Sequence, residues 1–426
     1  MTDGWIDTRC DTHILTRFEV ADYTTVLSVS SQSIDMRDAY LIGAGQTSFG
    51  SFPDETYRSL VASAIDETLA TTDGLDRAAI DEAFVGTLGS GGRQIGLSGP
   101  AVTTYAGLGS IPTTRVENAC AASGFAIRSA VQAVRSGMAD IVLAGGFEVM
   151  TDTSGDVTRY WLGVSGETEW ERLSGTTFAG VYAQMASAHM ERFGTTTEHL
   201  SAVAVKNHAN GATNPKAQLR FTCTIDDAES APVVADPLTL YHCCPTTDGA
   251  AFAIIAAPEV ANEYAESPIR IASVGAASDS VGLFQRASYT GIPASHEAAM
   301  HAYDAAGIEP TDLDLAEVHD CFSIAELLAY EDLGLCERGE AGPFIDSGAT
   351  QPDGSIPVNT SGGLKSKGHP IGATGAGQVV EVFDQLTGRA GDRQLADPRV
   401  GLTHNVGGSG GAAVVHIFER LEEVAV

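Results

Sequence analysis

Apolar positions along the chain follow two periods. Short continuous runs, YLIGAG from Tyr40, ADIVLAGGFE from Ala139 and GGAAVVHIF closing at Phe418, read as strands buried on both faces. Between them lie segments with helical spacing: YRSLVASAIDETLA, FAIRSAVQAVRSG with Phe125, Val131 and Val134 inward, and SHEAAMHAYDAA. HDCFSIAELLAYEDLG joins the short strand DLAEV to a further helix. Strand and helix alternate, which predicts an α/β protein with sheets covered by helices.

The pattern repeats. GLDRAAIDEAFVG, Gly74 to Gly86, aligns without gaps on GIEPTDLDLAEVH, Gly307 to His319, pairing Asp81 with Asp314 and Ala83 with Ala316. SIPTTRVENACAASG from Ser110 and SIPVNTSGGLKSKGHPIGATG from Ser355 share a second pattern, an extended run entering a small-residue turn and then a helix. Two related βαβ-type halves are predicted, residues 37–270 and 271–426, facing each other across a pseudo-two-fold axis. An insertion at about 151–245, with amphipathic helices around YAQMASAHMERFG, interrupts the first half. Residues 1–36 fall outside this plan and are expected to be dispensable.

Charge narrows the setting. The 426 residues hold 55 acids against 24 basic residues, a net charge of −31, and only four lysines: Lys206, Lys216, Lys365 and Lys367. Acids spread along the whole length imply a surface kept soluble by screening salt, so a halophilic host is expected and nucleic acid would be repelled. The N-terminus lacks the basic start and apolar core of a signal peptide, and no apolar run approaches the length of a membrane span, so a soluble cytoplasmic protein is expected. Seven irregularly spaced cysteines do not form a disulfide framework. HCC at 242–244 resembles half a zinc site, but no second close His/Cys pair completes it, so no metal is expected.

Four stretches carry chemistry. In ENACAASG, Cys120 stands where a strand gives way to a helix, and the helix dipole would lower its pKa; a buried structural cysteine is the alternative. His369 in GHPIGATG occupies the matching junction of the second half, where Pro370 holds its backbone extended and a base or hydrogen-bond donor could act. HDCF places His319 and Cys321 two residues apart, on one face of an extended segment. HNVGGSGG is a Gly-rich turn whose N–H groups could hold an oxyanion.

Together these motifs resemble the thiolase family over nearly the whole chain from about residue 37, with closest likeness to the sterol-carrier-protein-type and archaeal branch, which carries HDCF where other thiolases have NEAF. The resemblance implies the thiolase fold, a five-layer α-β-α-β-α architecture. It implies that Cys120 takes the acyl group of a coenzyme A thioester, that His369 activates it, and that His319 and His369 hold one oxyanion. The N–H groups of Cys120 and Gly407 would hold the other. Asn405 stands where most thiolases carry an acid/base cysteine, and Cys321 resembles a relocated substitute. The phosphates of coenzyme A call for local cations, for which Lys365, Lys367 and Arg220 are candidates, with Asn405 a further substrate contact. No tightly bound cofactor is implied; acetyl-CoA and acyl-CoA are substrates. The implied reaction is Claisen condensation of two acetyl-CoA to acetoacetyl-CoA, or the reverse thiolysis of a 3-oxoacyl-CoA. Implied partners are a second copy, as a dimer or dimer of dimers, a small zinc-ribbon/OB-fold protein and hydroxymethylglutaryl-CoA synthase. Three alternatives stay open: a ketoacyl synthase, a hydroxymethylglutaryl-CoA synthase-like enzyme using Glu326, and a non-catalytic scaffold.

Overall fold

A computed structural model describes residues 36–421. The extension expected to be dispensable, together with Cys10, lies outside the described residues except for Met36. The strands are β1 (Tyr40–Gln46), β2 (Glu82–Gly86), β3 (Thr113–Val116), β4 (Ile141–Glu148), the small hairpin β5 (Val233–Ala235) and β6 (Leu238–Thr239), β7 (Gly249–Ala256), β8 (Ile269–Ser278), β9 (Leu315–Glu317), β10 (Val400–Gly407) and β11 (Ala412–Arg420). Apart from the hairpin they form a mixed sheet in the order β3-β2-β4-β7-β1-β8-β11-β10-β9. It consists of two half-sheets joined where Tyr40 and Leu41 of β1 meet Arg270 and Ile269 of β8.

The two halves share topology and register. In the first, β2 runs parallel to β3 with Ala83 opposite Thr113, and Ala83 N donates to Pro112 O at 3.0 Å. In the second, Ala316 bridges Val358 in parallel, and Ala316 N donates to Pro357 O at 3.0 Å. The aspartates of the repeat do the same work twice. Asp81 Oδ2 accepts from Asp140 N and Ile141 N, and Asp314 Oδ2 accepts from Arg399 N and Val400 N. Each carboxylate thereby pins the start of the next parallel strand, β4 or β10.

Thirteen helices among the described residues complete the layers. Helices α1 (Tyr57–Ala70) and α2 (Ser98–Ala106) cover one outer face of the first half-sheet; α3 (Ala122–Arg135) lies on the other. Between β4 and β7 come α4 (Gly155–Gly163), α5 (Phe178–Phe193), α6 (Thr197–Ala212) and α7 (Ile225–Ser230), where the second half has only the turn 408–411. After α8 (Pro258–Tyr264), the second half places α9 (Pro293–Ala306) and α10 (Ser323–Asp332) outside, then α11 (Ala341–Asp346), the short α12 (Gly363–Ser366), and α13 (Thr374–Leu386) inside. Side chains of β7 alternate between layers: Phe252 and Ile254 pack outward with α1, while Ala253 and Ile255 pack inward with α3 and α13. The order is thus outer helices, half-sheet, α3 with α13, half-sheet, outer helices. Gly45 in β1 and Gly275 in β8 let α1 and α9 lie against their strands, since a Cβ at either would strike helix backbone.

Behind the second half-sheet lies a buried ionic network. Lys206 of α6 donates to Val358 O and pairs with Glu326 at 2.9 Å, both side chains fully shielded. Asn207, Asn359 and Tyr330 also donate to Glu326. Breaking a buried pair leaves an uncompensated charge, so Lys206→Met is expected to cost about 3–5 kcal/mol in denaturant unfolding. Adding Glu326→Gln should recover part of that loss.

Candidate active site

The extended run β3 ends at an abrupt turn. Ala119 sits at φ +50°, a left-handed conformation that costs an alanine about 1–2 kcal/mol. Its N–H is held by Glu117 Oε1 at 2.7 Å. The turn delivers Cys120 just before α3, against the matching junction of α13. The two helix starts touch: a Cβ on Gly375 would lie 2.6 Å from Gly124 N, and Ala376 N donates to Ser123 Oγ at 3.0 Å. Glycines at both crossing points make that approach possible.

Cys120 Sγ and ring nitrogens of His319 and His369 all lie within 4.8 Å of one another, and the two imidazoles meet edge-on with centroids 5.1 Å apart. Hydrogen bonds fix both tautomers. Thr374 Oγ1 donates to Pro370 O at 3.0 Å and lies 2.7 Å from His369 Nδ1, so it accepts the Nδ1 proton and leaves Nε2 bare. Asn405 Nδ2 donates to His319 Nδ1 at 3.1 Å, which puts the His319 proton on Nε2. That Nε2 is buried without a partner, a donor available to an incoming oxygen.

Burial sets the proton affinities. His369 is pushed down to about 3 and His319 well below its ordinary value, His319 also feeling His369 and His404. Burial, with Cys244 nearby, pushes the Cys120 thiol up to about 12, opposed by N–H groups of Gly408 and Cys120 itself. This corrects the expectation that the helix dipole would lower its pKa: loss of water outweighs the two N–H bonds. The thiol instead needs His369 to take its proton. Between about 3 and 12 the thiol–imidazole pair holds one proton throughout. Alkylation of Cys120 by iodoacetamide is therefore expected to be flat from pH 5 to 9. In His369→Ala it should rise about tenfold per pH unit, the signature of a thiol that must ionise to solvent.

The N–H directed at the Cys120 sulfur is that of Gly408, the residue after Gly407. Gly407 packs its Cα against Asn118 O, where a side chain would clash. Cys321 is buried, interacts with Cys120, and has its pKa raised well above the ordinary thiol value, chiefly by burial. The HDCF segment is held from behind, as Asp320 accepts from Asn207 Nδ2 and from Leu364 N and Lys365 N of α12. Glu148 at the end of β4 accepts from the N–H groups of Leu88, Gly89, Ser90 and Gly372, tying the GHPIG turn to the first half. Tyr182 of α5 also enters the site. The sequence reading missed Glu148, Thr374 and Tyr182, although GGFE, GHPIGATG and the Tyr182 helix were each singled out.

The expectation for the two lysines changes. Lys365 and Lys367 are at most 2% exposed. Lys365 Nζ donates to His242 O; Lys367 Nζ donates to Gly377 O and faces Glu317 at 3.7 Å, so both ammonium groups are engaged inside the protein. Asn405 Nδ2 is bonded to His319 Nδ1, while its Oδ1 is buried without a partner among the described residues. Arg220 is exposed and lines a cleft of about 470 Å³ with Lys216, Arg389 and Arg393, a cleft that Cys120, His319, Cys321 and His369 do not line. In HCC, His242 has both ring nitrogens engaged, with Thr239 N and Ser201 Oγ, which leaves it no lone pair for a metal.

A thiol, a bare imidazole nitrogen and clustered N–H donors are the equipment of covalent acyl transfer. Residues 39–259 match the thiolase N-terminal domain and residues 275–420 the thiolase C-terminal domain-like family. The chain is 44% identical to an acetyl-CoA acetyltransferase of Methanothermobacter thermautotrophicus over 387 residues, 90% of this chain and 100% of that one. It is 35% identical to human sterol carrier protein 2 over 407 residues, 90% of this chain and 72% of that protein. A solved structure titled "Ltp2-ChsH2(DUF35) aldolase" superposes with a TM-score of 0.77 at 25% identity, covering 91% of this chain and 99% of its own. The chain belongs to the thiolase family. It is an acyltransferase related to archaeal acetyl-CoA acetyltransferases and to sterol-carrier-protein-type thiolases. Among the described residues no helix is long and apolar enough to cross a membrane.

Proposed function

We propose that this chain condenses two acetyl-CoA to acetoacetyl-CoA and CoA, and runs the reverse thiolysis, through an acetyl-Cys120 intermediate. The observation that carries the reading is the Cys120–His369 pair with the unpartnered His319 Nε2 beside it. Cys120 passes its proton to His369 Nε2 as its sulfur bonds to the thioester carbon. CoA leaves as a thiolate and takes the proton of Cys321. The Cys321 thiolate then removes a proton from the α-carbon of a second acetyl-CoA. His319 Nε2–H and protonated His369 hold the enolate oxygen, each such donor contributing about 3–4 kcal/mol. The enolate carbon bonds to the acyl carbon, the Cys120–acyl bond breaks, and Cys120 recovers its proton from His369. All four groups end as they began.

A decarboxylating condensation is the second reading, favoured by the Cys120–His319–His369 trio, which needs no second thiol. The glutamate-base alternative has little support, because Glu326 is occupied by Lys206, Asn207, Asn359 and Tyr330. The reading extends to a homodimer through edge strand β3, which leads directly to Cys120. It extends also to a DUF35-type zinc-ribbon/OB-fold partner, on the strength of the superposed aldolase's title, and to hydroxymethylglutaryl-CoA synthase as consumer of the product. Gly407 N–H and Arg220 are proposed contacts of the thioester oxygen and of a CoA phosphate. The acidic chain suits a salt-rich archaeal cytoplasm. Acetoacetyl-CoA thiolysis in high salt tests the reading. Activity with acetoacetyl-CoA and CoA alone supports it, turnover only with malonyl-CoA favours the second reading, and turnover only with an added DUF35-type protein makes the chain half of an enzyme.

A further inference from the structure

The proposed cycle contains one expensive species, a Cys321 thiolate enclosed by protein. Burial disfavours that anion. Some group must donate to the sulfur when its proton leaves. Backbone amides serve Cys120, whereas Cys321 lies at the end of an extended segment whose own carbonyl accepts from Cys244 N at 3.0 Å.

Tyr182 is the side chain in position. It comes from α5, in the segment between β4 and β7, and is 1% exposed. Its ring stacks on Phe322, the neighbour of Cys321, with centroids 4.7 Å apart. Its hydroxyl donates to Gly408 O at 3.1 Å, and the Tyr182 and Cys321 side chains interact. The same residue therefore touches both the HDCF segment and the Gly-rich turn whose N–H faces Cys120.

We propose that Tyr182 is a positioning residue for Cys321, its hydroxyl turning from the Gly408 carbonyl to the Cys321 sulfur when that thiol gives up its proton. In the resting state the tyrosine O–H donates to Gly408 O. A hydroxyl has one proton, so none is directed at the Cys321 sulfur until that bond is released. When the CoA thiolate takes the Cys321 proton, the covalent S–H bond breaks, and the phenol O–H rotates from Gly408 O to point to the sulfur anion. Gly408 O gives up a neutral hydrogen bond, and the thiolate gains a charge-assisted one, which is the stronger of the two. When Cys321 takes the α-proton the hydroxyl swings back. No proton leaves Tyr182, whose phenol is held well above its ordinary pKa by burial and stays protonated throughout. The ring, clamped on Phe322, fixes the rotation axis.

This inference rests on the thiolase reading and is tested apart from it. Tyr182→Phe keeps the stack on Phe322 and removes only the hydroxyl. Exchange of acetyl-CoA methyl protons with D2O reports Cys321, while iodoacetamide alkylation reports Cys120 and His369. In Tyr182→Phe, exchange and kcat should fall about 10- to 100-fold, with KM for acetoacetyl-CoA and Cys120 alkylation within about twofold of wild type. In a Cys321→Ala background the same change should cost nothing further. The proposal is overturned if alkylation falls in step with exchange, which marks a general packing role, or if Tyr182→Phe costs as much without Cys321 as with it. A wild type that neither exchanges methyl protons nor acetylates Cys120 would overturn the thiolase reading itself.

Discussion

Cys120→Ser is expected to lower acetoacetyl-CoA thiolysis by about 10³-fold or more, with no acetyl-enzyme trapped on mixing with acetyl-CoA. The serine keeps the volume at the Ala119 turn, so folding should be unaffected and the loss can be read as chemistry. A neutral His369 with a pKa near 3 can take a thiol proton in concert with bond formation, but a serine hydroxyl is a far weaker acid. The measurement is steady-state thiolysis beside intact-protein mass spectrometry of the acetyl adduct. Retention of the adduct would move the nucleophile to Cys244, the nearby thiol that also acts on Cys120.

The second large effect separates the two half-reactions. Cys321→Ala is expected to lose condensation and thiolysis by about 10²–10⁴-fold, the range for removing a general acid/base, while still acetylating Cys120. The acylation step expels a CoA thiolate, a leaving group that solvent can protonate; the carbon–carbon step has no such substitute, because the α-proton needs a base inside the site. Rapid-quench detection of acetyl-enzyme beside steady-state turnover distinguishes the two. An unimpaired variant would transfer the acid/base role to His319 and give the decarboxylating reading its strongest support.

Sequence pattern carried the two halves because their likeness is enforced by local geometry. Asp81 and Asp314 each pin two amides of a neighbouring strand, and Pro112 and Pro357 each offer a carbonyl at the same register. Such constraints leave identical letters at identical spacing. The motif residues were legible for a related reason: a strained turn and glycine crossings at Gly124 and Gly375 tolerate few alternatives. The lysines at 365 and 367 were misjudged because ammonium groups are seldom buried, and their partners come from distant parts of the fold. Lys365 spans 123 positions to His242 O. Thr374 and Glu148 act through hydrogen bonds that set a tautomer or join two turns, and neither leaves a periodic trace. Tyr182 stands in an ordinary-looking amphipathic helix. Only the return of that helix over Phe322 gives its hydroxyl a purpose.

The placement of the lysines has a chemical corollary. Acyl thioesters acetylate free amines without any catalyst, and a protein that concentrates them near its surface risks damaging itself. Of the four lysines in the sequence, Lys206, Lys365 and Lys367 are sealed inside, and Lys216 is tied to Glu67. The remaining basic side chains are arginines, whose guanidinium groups stay charged and do not act as nucleophiles. This chain thus offers its own substrate class very little to modify by accident. It should emerge from long incubation with acetyl-CoA at alkaline pH with fewer acetyl-lysines than a lysine-rich relative, a difference that peptide mapping would count directly.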